Sequence, residues 1–217
     1  MAKDCTLCVD TGQKEQMKSQ LSYRIHSAVK GGHKAALKLL LDMGADINER
    51  NSGGTTALLE AVFYNHPSCI KILIERGADT TIPTSYGRSM LHRAAWESTD
   101  GEVMTCLLDV VKTRKMVDMK DSIGNTPLHD CCSEDDPNPI LQLENAKMLV
   151  QASATLTIKN SERKTPYKCA RDRERKELAK YLWSQLSPEE QADELPPPSS
   201  WWEGVGSIGI ELHLPGT

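Results

Sequence analysis

Phenylalanine occurs once and aromatic residues make up only 5% of the chain. That supply argues against the aromatic-centred core of a β-sandwich. No apolar run approaches the ~20 residues that a membrane-spanning helix needs. The opening stretch MAKDCTLCVDTGQKEQ lacks the apolar core of roughly seven or more residues that marks a secretory signal. Charge of one sign is lacking as well: 26 basic against 30 acidic residues leave a formal −4, which favours neither nucleic acid nor an anionic membrane as partner. The seven cysteines are odd in number and scattered. They read as reduced thiols of a cytoplasmic or nuclear protein rather than as a disulfide framework. What remains is a chain of 217 residues with 39% hydrophobic and 26% charged residues. That is enough for one compact domain, or for a short solenoid with a tail, without a metal or disulfide staple.

Internal repetition is the dominant signal. Gly44-Ala45-Asp46-Ile47-Asn48 returns as Gly77-Ala78-Asp79-Thr80-Thr81, an offset of 33 residues. Thr126-Pro127-Leu128-His129 has relatives that begin at Tyr23, Thr56, Ser89 and Thr165, so successive starts are 33, 33, 37 and 39 residues apart. Five residues after each start stands a small residue: Ala28, Ala61, Ala94, Cys131 or Ala170. Pro127 and Pro166 suit the first position of a helix, with Thr126 and Thr165 as caps. The fourth motif position holds His26, His92 and His129, each a local hydrogen-bond partner for its turn. Residues 35–41 and 70–74 are apolar at helical period, and Gly44 and Gly77 supply left-handed ends.

These motifs resemble the ankyrin repeat, a unit of about 33 residues built from a β-turn and two antiparallel helices. The resemblance covers about residues 21–186 and implies an all-α solenoid of five repeats, approximately 21–48, 49–81, 82–118, 119–157 and 158–186. A polar N-terminal segment (1–20) precedes it and an acidic Pro/Trp tail (187–217) follows. The third repeat lacks the Gly-Ala-Asp turn, and Glu134 to Pro139 widen the fourth. Stacked units of this kind bury their apolar faces only against each other. Residues 159–180 carry nine Lys/Arg against four Asp/Glu, whereas six acids and no Lys or Arg follow from Ser187. Ser187-Pro188-Glu189-Glu190 reads as a capping box opening a short helix to about Leu195, with an extended proline run after it. The tail either folds back on the last repeat or stays solvated, and the sequence leaves both open.

Few motifs point to chemistry. Gly204-Val205-Gly206-Ser207-Ile208-Gly209 matches a dinucleotide fingerprint in letters, but only eight residues follow, Pro215 among them. A helix for the pyrophosphate and an acid for the ribose have no room there. Cys5 and Cys8 are candidate ligands for zinc or a redox pair, yet no second cysteine pair of that spacing exists, and unstructured thiols are the plainer reading. His129, Asp130, Cys131 and Cys132 are chain neighbours, and neighbours on a helix do not face each other. Catalysis and a cofactor are therefore not expected. The resemblance also implies one modification candidate, Asn48, at the spacing of asparagines that asparaginyl hydroxylases modify in ankyrin proteins.

The resemblance implies a concave binding face of hairpin tips and inner-helix ends. Repeat phase puts Ser52, Gly53, Thr55, Phe63 and Tyr64 there, then Ser85, Tyr86, Arg88, Trp96 and Glu97. Ser122, Ile123, Asn125, Ser133 and Glu134 come next, and Ser161, Glu162 and Lys164 last. Phe63, Tyr64, Tyr86 and Trp96 are four of the ten aromatics and map to one strip, the material of interface hot spots. Their bland alternative is packing into a neighbouring repeat. Trp201 and Trp202 form a second candidate site in the tail. The expectation is a monomeric, non-catalytic protein-binding module, an adaptor, scaffold or inhibitor whose partner is another protein, not nucleic acid or membrane. A zinc- or redox-responsive protein using Cys5 and Cys8, or a regulatory subunit of an enzyme complex, is the alternative.

Overall fold

The computed structural model describes residues 5–96, 101–111, 114–132 and 138–201, excluding the side chains before Gln16 and those of Met17, Lys18 and Arg114. Its helices in chain order are α1 (Cys5–Lys30), α2 (Lys34–Asp42), α3 (Ala57–Phe63), α4 (Pro67–Glu75), α5 (Met90–Trp96), α6 (Gly101–Val110), α7 (Arg114–Val117), α8 (Pro127–Asp130), α9 (Pro139–Gln151), α10 (Pro166–Asp172), α11 (Lys176–Gln185) and α12 (Pro188–Ala192). Helices α1, α3, α5, α8 and α10 lie side by side as an inner row, and α2, α4, α6, α9 and α11 as an outer row. The fold is an all-α solenoid. Among the described residues the only β pairing is one isolated bridge, Arg50 with Thr56.

Local chemistry starts the inner helices. Thr165 and Thr56 take extended backbone and accept from the amides of Lys168 and Leu59, while Pro127 and Pro166 occupy first helical positions. Gly44 and Gly77 end α2 and α4 at φ +86° and +84°, the left-handed region in which a side chain is strained. The first inner helix starts well inside the polar segment assigned to residues 1–20, since α1 begins at Cys5. Cys5 and Cys8 therefore sit on helical backbone rather than in an unstructured lead, although their side chains lie outside the described residues.

The small residues do what close helix packing requires. Ala28, Ala61, Ala94, Ala95, Cys131, Cys132 and Ala170 are buried between inner helices, and Leu37, Ile70, Leu73, Met104, Leu107, Leu149 and Leu182 fill the space toward the outer row. Where the third repeat lacks its glycine turn, α7 replaces it. An apolar cavity of about 360 Å³ lies there, lined by Met90, Leu91, Val111 and Met116 among others.

Histidines tie one repeat to the next. His92 Nδ1 accepts from the Ser89 amide at 3.1 Å and its Nε2 donates to the Asn125 carbonyl at 2.9 Å. His129 repeats the pattern with the Thr126 amide at 3.1 Å and the Lys164 carbonyl at 3.0 Å. The role expected from sequence was local; the structure adds a bond to the following repeat. His26 differs, meeting Glu60 of the second repeat at 2.7 Å.

The tail resolves the alternative left open by its sequence as far as Trp201. Ser187 and Glu190 form both halves of a capping box, and α12 ends at Ala192, short of Leu195. Gln191 Nε2 donates to the Trp183 and Leu186 carbonyls at the end of α11. Thr165 Oγ1 then donates to Glu194 at 2.6 Å, Tyr167 Oη donates to the Leu195 carbonyl at 2.6 Å, and Trp201 packs against the core. These docking bonds are donated by a threonine hydroxyl, a tyrosine hydroxyl and a glutamine amide.

Candidate inner-face recognition site

Four hairpin tips precede α3, α5, α8 and α10. Each is closed by two backbone bonds, as in Asn51 N to Thr55 O at 2.9 Å and Gly54 N to Asn51 O at 2.8 Å. One polar side chain holds each tip from within. Asn51 Oδ1 accepts from the amides of Gly53 and Thr55, Asp121 Oδ1 from Ile123 and Asn125, Asn160 Oδ1 from Glu162 and Lys164, and Thr84 Oγ1 from Arg88. These four clamps were missed in the sequence reading. Their signal was present, since 51, 84, 121 and 160 repeat the 33, 37 and 39 spacing of the helix starts.

Tip joins tip through backbone. Ser122 N donates to the Tyr86 carbonyl and Ser161 N to the Ile123 carbonyl, both at 3.0 Å. Glycine is required beside these joints: a Cβ on Gly124 (φ +76°) would sit 3.1 Å from Ser161 N, and one on Gly87 (φ +73°) 3.1 Å from Ser122 N. With their backbones engaged, the side chains of Tyr86 (73% exposed) and Ile123 (52%) point to solvent. Ser85 and Ser122 are exposed beside them.

The inner-helix ends bring the other aromatics together. Phe63 and Tyr64 meet edge to face at 4.8 Å. Each of three rings carries a cation over its face: Arg93 over Phe63 at 4.1 Å, Arg88 over Trp96 at 4.5 Å and Lys30 over Tyr64 at 5.6 Å. Phe63 is exposed and Trp96 half-buried, so these rings pack partly on neighbouring repeats and partly face outward. Arg88 also reaches Asp121 at 3.7 Å. Arg93 and Lys30 were not among the residues singled out from sequence; Arg93 stands one place after the motif histidine, a position whose equivalent in the second repeat is Glu60. Glu97, Ser133, Glu134 and Trp202 lie outside the described residues.

Buried titratable groups lie beneath this face. Burial holds the His129 imidazole down to about 4, partly opposed by its bond to the Lys164 carbonyl, and lowers His92 for the same reason. Asp130 is buried, and among the described residues neither carboxyl oxygen has a donor at hydrogen-bond geometry. Burial pushes it up to about 7, against the pull of Arg88, of the nearby Asn125 side chain and of Arg173. The thiols of Cys69, Cys132 and Cys169 are raised by burial, which makes them poor nucleophiles. Adjacent His129, Asp130, Cys131 and Cys132 thus form no reactive pair: His129 is bound at both ring nitrogens to repeat backbone.

Asn48 follows α2, at the joint between the first and second repeats. Its Oδ1 accepts from the Asp79 amide at 2.8 Å. Asp118 makes the equivalent bond to the Thr155 amide at 2.8 Å two repeats later. The Asn48 side-chain amide is part of the joint between repeats.

A family model described as ankyrin repeats, in three copies, matches residues 25–114. A second, described as an ankyrin repeat, matches residues 123–161.

Proposed function

Because the chain belongs to the ankyrin repeat family, whose members are generally protein–protein interaction modules, we propose that it binds another protein through its inner face, as an adaptor, scaffold or inhibitor. The observation that carries this is the Tyr86 ring, turned to solvent above an interlocked backbone, together with the partly exposed rings of Phe63, Tyr64 and Trp96 at the inner-helix ends. A stability role does not account for Tyr86, whose ring is 73% exposed while its carbonyl does the structural work. Rigid aromatic anchors and arginine, on a preformed surface, are what recognition without large rearrangement uses. Ser85, Arg88, Glu97, Ser122 and Ile123 complete the proposed contact set. The reading includes a monomeric, non-catalytic chain in the cytoplasm or nucleus.

Affinity capture from native extract tests this. The parent chain, the Tyr86→Ala/Trp96→Ala variant and a chain ending before Ser187 are compared. Partners lost with the double variant, at an unchanged melt, are the expected result. Partners lost only on truncation would move recognition to the tail around Trp201 and Trp202. Metal analysis addresses the second reading: near-stoichiometric zinc in purified protein would favour a sensor built on Cys5 and Cys8.

A further inference from the structure

A terminal repeat of a solenoid needs a polar outer face, and the first repeat supplies one on only half of its open end. Where α3 buries Ala57, the same motif position in α1 is the exposed Arg24, with exposed Ser27 one turn on. Helix α2 does the opposite. Its counterpart α4 turns Cys69, Ile72 and Arg76 toward α2: Cys69 and Ile72 are buried, the Lys34 charge acts on the Cys69 thiol, and Arg76 Nη1 meets Asp42 at 2.7 Å. The same positions in the first repeat hold Ala36, Leu39 and Met43. Ala36 is exposed, and Leu39 and Met43 are 60% and 56% exposed. Among the described residues no outer helix lies beyond α2. The Asp46 amide donates to Ser22 Oγ at 3.2 Å, which sets the end of α2 level with Ser22, so the earlier turns of α1 run on past it.

We propose that Ala36, Leu39 and Met43 form a docking surface for one amphipathic helix of a partner protein, laid along α2 as α2 is laid along α4. The contact continues the interface that α2 and α4 already make. Residues at i, i+3 and i+7 stand on one helix face, so the occupant presents apolar side chains at the same spacing. At the end of α2 its residue is apolar rather than acidic, because Met43 stands where α4 has Arg76 to meet Asp42. A complete further repeat does not fit as well: its inner helix would bury the Arg24 guanidinium, a costly desolvation. A single helix over α2 leaves Arg24 in water. This surface lies at the end of the outer row, apart from the inner face, and neither contact depends on the other.

The test is a displayed library of random peptides long enough for four helical turns (about 15 residues), selected on the full-length chain and re-measured by fluorescence anisotropy. Peptides with apolar residues at i, i+3 and i+7 that gain helical circular dichroism on binding are expected. Their binding should fall about tenfold or more in Leu39→Gln/Met43→Gln and stay unchanged in Tyr86→Ala/Trp96→Ala. The melt of Leu39→Gln/Met43→Gln should match the parent, because both side chains already face water; a lowered melt would show the stripe covered within the chain and overturn the proposal. A parent dimer in sedimentation velocity that this variant abolishes would give the surface to a second copy instead. Peptides that ignore Leu39→Gln/Met43→Gln but need Tyr86 and Trp96 would overturn this docking surface and leave the inner-face reading standing. No enrichment at all would also overturn it.

Discussion

Asp130 is the residue at which the array's packing and its electrostatics conflict. Its carboxyl group is buried, with no donor at hydrogen-bond geometry among the described residues, and held up at about 7, whereas an unfolded aspartate ionises near 4. Between those values the folded chain holds the proton that the unfolded chain has lost, so stability falls as pH rises through the window. Asp130→Asn copies the protonated form. Relative to parent it should gain up to about 1.4 kcal/mol per pH unit from pH 4 to 7, and nothing below. Urea melts at pH 4.5 and 8 check this; equal shifts at both would refute it. His129 acts in the opposite sense. It is kept neutral down to about 4, so its contribution is complete above pH 6.5 and is lost as pH falls toward 4. In the Asp130→Asn background, the remaining pH profile should therefore slope downward on acidification, and His129→Gln should make it shallower, leaving the part that His92 contributes.

At the scale of elements, joints between repeats decide stability. Gly124 combines a left-handed backbone with a Cβ direction that ends 3.1 Å from Ser161 N. Gly124→Ala should cost at least about 1–2 kcal/mol from backbone conformation alone and more from the displaced tip, measured as a lowered midpoint in urea. The terminal element behaves as a surrogate sixth repeat. The carbonyl of Leu195 accepts from Tyr167 Oη, much as the carbonyls of Asn125 and Lys164 accept from His92 and His129. Tyr167→Phe should cost ~0.5–1.5 kcal/mol, and ending the chain before Ser187 should cost more and expose Tyr167 and Trp183 to quenchers. The helix starts at Thr126 and Thr165 and the glycine ends at Gly44 and Gly77 were legible because capping and left-handed backbone are local chemistry. The docking of Glu194 and Leu195 was not, since the groups they meet lie about 30 residues away. The bonds that dock the tail include one from a threonine hydroxyl to the Glu194 carboxylate and one from a tyrosine hydroxyl to the Leu195 carbonyl, with Trp201 packed against the core.

Across the whole molecule, period decided more than composition. A 33-residue repeat with small residues in phase made the all-α solenoid readable, because only stacking can bury faces so patterned. Phase also maps Tyr86, Trp96, Phe63 and Tyr64 to equivalent edges of successive repeats, and Phe63 and Tyr64 meet edge to face. What phase could not show was the stacking of Arg93 on Phe63 and Lys30 on Tyr64, which joins residues of different repeats, or that Tyr86 locks its neighbour by backbone while leaving its ring free. The central claim is that this face, rather than the outer helices or the tail, is where a protein partner sits. Hydrogen exchange on the chain alone and bound to its captured partner tests that most directly. Protection concentrated in residues 51–64 and 84–96 is the predicted result. Protection confined to α4, α6 and α9, or to residues 188–201, would contradict it.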